Sequence, residues 1–396
     1  MTDTTYHQAT NTTHDKFGTL DTQEITPSGR SGIELLRVFA IVLLVFYHAV
    51  CLTTDGQSGP LSWLAFHLGQ AGFVGTDLFL ALAGFLAVGS RARAASAGAW
   101  LLRRWLRAFP ALAAFLLLYL YGVPYGLAAL GVRAEDLPIY SSLDMARARQ
   151  WTMWTMTSNF LMVTGYRMGA ALEPLLTLGV GAQITLLAAW LLPSFRRLFF
   201  GIGIVAIIGV SLRALWLHAD RYLPYSFPLT RADGFLLGAG FATLLRSRHW
   251  RDWLLSIRRR LLLASTVLLL GIMAGSSGMS LDSSLLKTLG YPAISLWAAS
   301  LVLAFSQLSS CPRLLRWISR AGRGAYFAYL VKLPVTFVVL WALQRSGRSG
   351  FFAFVLLSLG ASWLVGLLGY LVLERPMGRL LGARRRAPRL PVSYGG

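Results

Sequence analysis

The chain has 396 residues, of which 55% are hydrophobic and only 13% are charged. A soluble domain of this length needs more charge on its surface, so the composition excludes a soluble globular protein and indicates a polytopic membrane protein. The formal net charge is +21, but the basic residues form short clusters between apolar runs, which is typical of topology determinants and contacts with anionic lipids. We therefore expect membrane lipids as partners and no nucleic acid.

Hydropathy divides the chain into two polar ends and an apolar body. Residues 1–30 contain no apolar core and no cleavage site, and we predict a disordered cytosolic tail. The prediction for residues 31–376 is an all-α transmembrane domain of about ten helices, followed by a basic cytosolic tail over residues 377–396. The predicted spans are 33–52, 71–89, 107–128, 174–193, 198–217, 231–246, 261–276, 287–308, 322–342 and 351–373.

The positions of the arginines set the predicted orientation, because segments rich in Lys and Arg are retained in the cytosol. With ten spans, the Arg-rich connections all fall on one side and both termini are cytosolic. The long outer connection 129–173 contains QWTMWTMTSNFLMVTGY, which lies in the membrane interface or re-enters between helices. If it spans instead, the count becomes eleven and the C-terminus changes sides.

The first predicted helix carries Arg37 near its start and His48 near its end, in the run GIELLRVFAIVLLVFYHAV. Eleven positions bring the two residues almost to the same helix face and separate them by roughly 16 Å. One hypothesis is a pair of functional groups, with Arg37 at the cytosolic surface and His48 within the membrane. The alternative is a packed histidine and an arginine that extends its charge to the membrane surface.

Other charges also lie inside apolar helices, where they are costly and mark candidate sites: Asp77, Arg231, Asp233 and Lys332. Asp77 is predicted at a depth similar to that of His48. One hypothesis is that its carboxylate accepts the Nδ1 proton of His48 and so makes a general base. The alternative is a structural pair between Asp77 and either Arg231 or Lys332.

Arg103, Arg104 and Arg107 form a basic cluster in LLRRWLRAFPAL at the start of the third helix. Such a cluster can hold phosphates through charge-assisted hydrogen bonds, and the alternative is a positive-inside anchor. No P-loop, HExxH or GxSxG pattern occurs in a supporting context, and the two cysteines have no metal-ligand spacing. Nucleotide hydrolysis, zinc chemistry and serine chemistry therefore receive no support.

Several short segments occur along the chain in an order that is typical of one protein family. They are Arg37 and His48 in an R-x10-H spacing, GFVGTDLFLALAGFL, RRWLRAFPA, TLGVGAQITLLAAWLLP, TRADGFLLGAGFA, GRGAYFAYLVKLPV and VLERPMGRLL. Over about residues 32–382 this set resembles the acyltransferase 3 family of membrane-bound O-acyltransferases, which includes bacterial surface-polysaccharide O-acetyltransferases.

The resemblance implies an enzyme of the cytoplasmic (inner) membrane with about ten helices. Its implied reaction moves an acyl group, commonly acetyl, from cytosolic acyl-CoA to a hydroxyl of a glycan, a lipid-linked sugar or another acceptor at the outer face. Acyl-CoA is then a co-substrate, and no permanently bound cofactor is implied. By the same resemblance Arg37 contacts the CoA side of the donor and His48 takes part in transfer, directly or through an acyl-histidine. The arginines 103, 104 and 107 hold the CoA phosphates.

The chain departs from the family pattern at several positions. Gly181 and Ala182 stand where the family has two acidic residues, Ala83 replaces a serine, and Lys332 stands where a histidine is usual. Glu173 lies about two helical turns before the first missing carboxylate, and we do not expect it to replace that group.

Lys332 is the third candidate catalytic residue, with His48 and Asp77. Its ammonium has three possible roles: to stabilise an oxyanion on the thioester, to bind an anionic acceptor, or to neutralise Asp77. The departures also favour a second hypothesis, a catalytically impaired relative that acts as a membrane scaffold, sensor or carrier. A transporter is disfavoured because the sequence has no repeat symmetry.

Overall fold

The computed structural model describes residues 26–53, 68–129, 131, 133–134, 137–164, 169–217, 222–276, 283–347 and 350–383. Of these residues 89% are helical and none lies in a strand, which confirms the all-α prediction. Eight of the helices are long and apolar enough to cross a membrane. The protein is therefore a polytopic membrane protein.

The helices of the described residues are numbered here in chain order. They are α1 (Pro27–Leu52), α2 (Leu68–Ala92), α3 (Ala97–Ala129), α4 (Leu143–Ala148), α5 (Trp151–Trp154), α6 (Ser158–Val163), α7 (Glu173–Leu191), α8 (Phe195–Leu215), α9 (Tyr222–Ser226), α10 (Pro228–Arg246), α11 (Arg248–Gly275), α12 (Leu286–Ser306), α13 (Arg313–Arg345) and α14 (Phe351–Leu381). The eight candidate spans are α1, α2, α3, α7, α8, α12, α13 and α14.

Helices α10 and α11 coincide with the two remaining predicted spans, 231–246 and 261–276. They are not among the eight candidate spans, so the count of ten and the orientation of the termini stay predictions. The segment between the predicted spans 231–246 and 261–276 is helical from Arg248 onward, because α11 begins there and continues without a break. Arg and Leu are good helix formers, and a basic run of this kind can extend a span beyond the membrane.

Helices extend into both of the segments that the sequence predicts as tails. α1 begins at Pro27, because the Thr26 side chain accepts a hydrogen bond from the Gly29 backbone N–H at 3.0 Å and proline suits the first helical turn. The predicted C-terminal tail begins inside α14, which continues to Leu381. The disorder predicted for residues 1–25 and the basic segment 384–396 lie outside the described residues.

Helices α2 and α10 approach each other closely at the centre of the fold. A Cβ atom at Gly84 would overlap the backbone of Phe235, and one at Gly238 would overlap the backbone of Ala81. Small residues allow such backbone approach in membrane helices, where van der Waals packing takes the place of hydrophobic burial. The largest core is built around this contact, with residues contributed by α1, α7, α8 and α12.

The described residues of the long connection predicted over residues 129–173 form the short helices α4, α5 and α6, none of which is long enough to span a membrane. Asn159 is fully buried and exchanges two hydrogen bonds with Gln183 of α7, at 3.1 and 2.8 Å. Gln183 lies ten residues into α7, about 15 Å along the helix. This contact favours the re-entrant alternative over the interfacial one, and it gives no support to an eleventh span.

Candidate active site

His48 is buried on α1, and each nitrogen of its imidazole faces an oxygen acceptor. Nδ1 lies 2.5 Å from the carbonyl oxygen of Leu44, one helical turn earlier. A carbonyl oxygen only accepts, so Nδ1 carries a proton and donates it. The second nitrogen, Nε2, lies 3.3 Å from Oε2 of Glu173. In the neutral ring Nε2 is therefore the basic nitrogen, and it points toward a carboxylate.

Glu173 is the first residue of α7, and its contact with His48 corrects the prediction that it would not replace the missing carboxylate. That prediction measured the distance from position 181 along the helix. Gly181, however, does not face His48, because a Cβ atom there would contact Leu80 of α2. The start of α7 faces α1 instead. The loss of acidic residues at positions 181 and 182 therefore leaves the histidine with a carboxylate partner.

A narrow cavity of about 10 Å³, which is room for about one water molecule, lies beside this pair. Lys332 of α13 lines it and is 2% exposed, with its Nζ 4.8 Å from the centre of the Tyr329 ring. The structure thus brings two predicted site residues, His48 and Lys332, to one cavity. The lining residues are Leu44, Tyr47, His48, Phe73, Thr76, Glu173, Pro174, Thr177, Tyr225, Tyr329 and Lys332.

Asp77 does not contact His48, which corrects the hypothesis that it accepts the Nδ1 proton. Its Oδ2 accepts a hydrogen bond from Nη2 of Arg231 at 3.0 Å, and both side chains are at most 2% exposed. The Arg231 guanidinium also lies between two aromatic rings, 4.8 Å from Tyr225 and 4.7 Å from Tyr291. The structural alternative is therefore the one observed. The pair still borders the site, since Tyr225 lines the cavity.

A second buried ion pair lies next to the first and was missed in the sequence. Nη1 of the fully buried Arg213 lies 2.9 Å from Oδ2 of Asp233 and also donates to the Thr230 carbonyl oxygen. Arg213 is near the end of α8, where an arginine is ordinarily taken for an exposed anchor. The sequence shows Arg231 and Asp233 two positions apart on one helix. This spacing does not indicate that each of them pairs with a residue on a different helix.

The predicted donor-binding arginines lie at the other end of the helices. Arg37 pairs with Glu34 at 2.8 Å, and the Arg104 guanidinium lies 5.8 Å from the Trp100 ring centre. Arg103 is half-buried and Arg107 is exposed. Arg107 and Arg37 both act electrostatically on the carboxylate of Glu374 in α14. The structure therefore brings α1, α3 and α14 together around a basic group whose acidic neighbours include Glu34 and Glu374.

The fold and the site together define a multi-pass membrane protein with a histidine, a carboxylate and a lysine at one buried cavity. Among the described residues, no group of histidine, cysteine or acidic side chains could hold a metal ion. A family model described as an acyltransferase domain matches residues 30–367. The match covers most of the chain, and the protein belongs to the acyltransferase 3 family. Searches of curated proteins and of solved structures found no match.

Proposed function

We propose that the protein is an O-acyltransferase of the cytoplasmic membrane, which moves an acetyl group from cytosolic acetyl-CoA to a hydroxyl at the outer face. The observation that carries the proposal is the His48–Glu173 pair, with Nε2 to Oε2 at 3.3 Å, in the cavity that Lys332 also lines. A base, a carboxylate and a cation at one cavity are the groups that acyl transfer to a hydroxyl requires.

In the proposed mechanism His48 is the general base. Because Nδ1–H donates to the Leu44 carbonyl oxygen, Nε2 is the nitrogen that accepts the proton of an acceptor hydroxyl, which approaches it from the cavity beside Glu173. The acceptor oxygen attacks the thioester carbon, the carbon–sulfur bond breaks, and the imidazolium returns its proton to the departing thiolate. Glu173 stabilises the imidazolium while it exists. Lys332 stabilises the negative charge that forms on the thioester oxygen.

The separation of Arg37 and His48 supports a CoA donor. Eleven residues of α1 span roughly 16 Å. The pantetheine arm of CoA has thirteen bonds between its sulfur and the nearest phosphorus, and when extended it is also roughly 16 Å long, given bonds of about 1.3–1.5 Å. A phosphate held by Arg37, with help from Arg103, Arg104 and Arg107, therefore allows the sulfur to reach the level of His48.

The lining of the cavity supports a sugar hydroxyl as the acceptor. Tyr47, Tyr225 and Tyr329 contribute aromatic rings, and Thr76 and Thr177 contribute hydroxyls. Aromatic faces with a few polar groups are suited to the apolar faces and hydroxyls of a sugar ring. We therefore propose a glycan or a lipid-linked sugar as the acceptor class. The surface of the cavity away from the arginines is the side from which it enters.

The test uses membrane vesicles that contain the protein, its native lipids and lipid-linked sugars, with acetyl-CoA labelled in the acetyl group. We expect label to enter the extractable lipid or glycan fraction, and His48→Ala to reduce the rate at least a hundredfold because the general base is lost. The control is His249→Ala, which changes an exposed histidine of α11. Equal labelling by wild type and His48→Ala would contradict the proposal. It would instead favour a scaffold, sensor or carrier.

A further inference from the structure

Glu374 is a half-buried carboxylate that the proposed mechanism does not use. It lies in the VLERPMGRLL segment, near the cytosolic end of α14. Its Oε1 atom is buried and has no hydrogen-bond partner among the described residues, while the carboxylate lies near the Phe327 backbone. A buried acceptor without a donor costs free energy, and in native structures such atoms usually meet a ligand or water.

Close helix packing fixes the position of this carboxylate. A Cβ atom at Gly369 would overlap the Phe327 ring, and one at Gly366 would overlap Ala328. The backbone of α14 therefore lies directly against α13, and the Glu374 side chain reaches the backbone of Phe327. Residues Tyr370–Glu374 also contact α3, the helix of the arginine cluster. Glu374 therefore lies beside the basic group, at the helix α13 that also carries Lys332.

The depth of Glu374 matches one chemical group of the donor. Phe327 precedes Lys332 by five residues, about 7.5 Å along α13. The pantetheine arm has two amides, and the one farther from the sulfur has its nitrogen seven bonds away, roughly 8–9 Å in the extended chain. With the sulfur at the level of Lys332 and the phosphates at Arg37, that amide lies at the level of Phe327.

We propose that Oε1 of Glu374 accepts a hydrogen bond from the N–H of this distal pantetheine amide, so that Glu374 is a donor-binding residue. The inference rests on the proposed function, because it needs a CoA thioester in the site. A carboxylate suits the role, since it only accepts, and a bond to a charged acceptor is stronger than one between neutral groups. The arginines recognise the phosphates, and Glu374 recognises the arm.

The experiment compares the binding of two probes by purified protein in detergent. One probe is acetyl-CoA, and the other is its ester analogue, in which oxygen replaces the N–H of the distal amide. We expect wild type to bind the ester about tenfold more weakly, because one buried charge-assisted hydrogen bond is lost and two oxygens face each other. Glu374→Met is expected to bind the two probes with equal affinity. That affinity should be about tenfold weaker than the affinity of wild type for acetyl-CoA.

Two further variants separate this role from a purely structural one. Glu374→Gln keeps an acceptor oxygen and is expected to retain the preference for acetyl-CoA. Arg37→Ala is expected to weaken the binding of both probes by the same factor, so that the ratio of their affinities is unchanged. Equal binding of both probes by wild type, or an unchanged preference in Glu374→Met, would overturn the inference and leave the proposed function intact. Failure of wild type to bind acetyl-CoA at all would overturn both.

Discussion

The chemistry of single residues depends on which oxygen faces each nitrogen of His48. In many catalytic pairs a carboxylate holds Nδ1 and leaves Nε2 for the substrate. Here the Leu44 carbonyl holds Nδ1, and Glu173 faces Nε2. The hydrogen bond to this backbone carbonyl fixes the tautomer of His48 without using a charged partner. The carboxylate is then placed to stabilise the imidazolium, on the side where the proton arrives.

Glu173→Gln tests that role. The amide keeps the size of the side chain but removes the negative charge next to Nε2, so we expect acyl transfer to fall about a hundredfold, close to the effect of losing the base. The measurement is the rate of label transfer from acetyl-CoA in vesicles. Asp252→Asn, at an exposed position of α11, is the matched control. A Glu173→Gln variant as active as this control would show that the carboxylate does not act on the histidine.

Asp77→Asn tests a structural role. The substitution leaves the Arg231 guanidinium buried without a charge partner, so we expect a loss of about 3–5 kcal/mol in stability. The measurement is the thermal unfolding of the detergent-solubilised protein. Asp144→Asn is the control, because Asp144 is 86% exposed and lies 3.8 Å from Arg147; it should cost under about 0.5 kcal/mol. The double variant Asp77→Leu with Arg231→Met should regain stability relative to Asp77→Asn, and no recovery would argue against a structural pair.

The sequence predicted part of the candidate site. His48 and Lys332 could be found because a polar group inside an apolar helix is conspicuous. Glu173 could not be found this way, since a carboxylate at the start of a helix is ordinary and its partner lies 125 positions away. For Asp77 the sequence left open a contact with His48 and a structural pair, and the structure shows the pair with Arg231. The sequence could not decide, because similar depth on two helices does not say which faces meet.

At the scale of helices, hydrophobic length predicted where each span lies but not where each helix ends. The apolar criterion located α3 and α11 but missed their first turns, in which basic residues continue the helix outside the apolar run. The start of α1 was missed because it depends on the cap formed by Thr26. The folded outer connection depends on the amide contact between Asn159 and Gln183, and periodicity contains no trace of such a contact.

Gly84→Val tests the contact between α2 and α10. A side chain at this position meets the backbone of Phe235, which cannot move without separating the two helices. We therefore expect little monodisperse protein after detergent extraction, as measured by size-exclusion chromatography. Gly203→Val on α8 is the control, because a Cβ atom there has no neighbour within 4 Å. Equal yields from the two variants would contradict the close packing.

At the scale of the whole molecule, the arrangement separates two chemical environments. Arg37 and Arg107 lie near Glu374 at one end of the helices, while His48 and Lys332 line the cavity farther along α1 and α13. In the proposed reaction, a donor from the cytosol and an acceptor from outside meet at this cavity. This account requires the predicted orientation, in which the arginine-rich ends face the cytosol.

Cysteine labelling tests the orientation. In a background with Cys51→Ser, Ser346→Cys lies at the exposed end of α13 and Ser256→Cys lies in the exposed basic part of α11. A membrane-impermeant maleimide is expected to label Ser346→Cys in cells with an intact cytoplasmic membrane and to label Ser256→Cys only after lysis. The reverse pattern would show that the protein has the opposite orientation in the membrane. Labelling of both positions from outside would rule out the ten-span topology.

The most direct measurement is an experimental structure with a non-hydrolysable analogue of acetyl-CoA in which a methylene replaces the sulfur. The account predicts phosphates against Arg37 and the neighbouring arginines. It also predicts an acyl carbonyl carbon within about 4 Å of the space beside His48 Nε2, where an attacking hydroxyl would sit. An analogue bound with its phosphates away from these arginines, or with its acyl group remote from His48 and Lys332, would contradict the central claim.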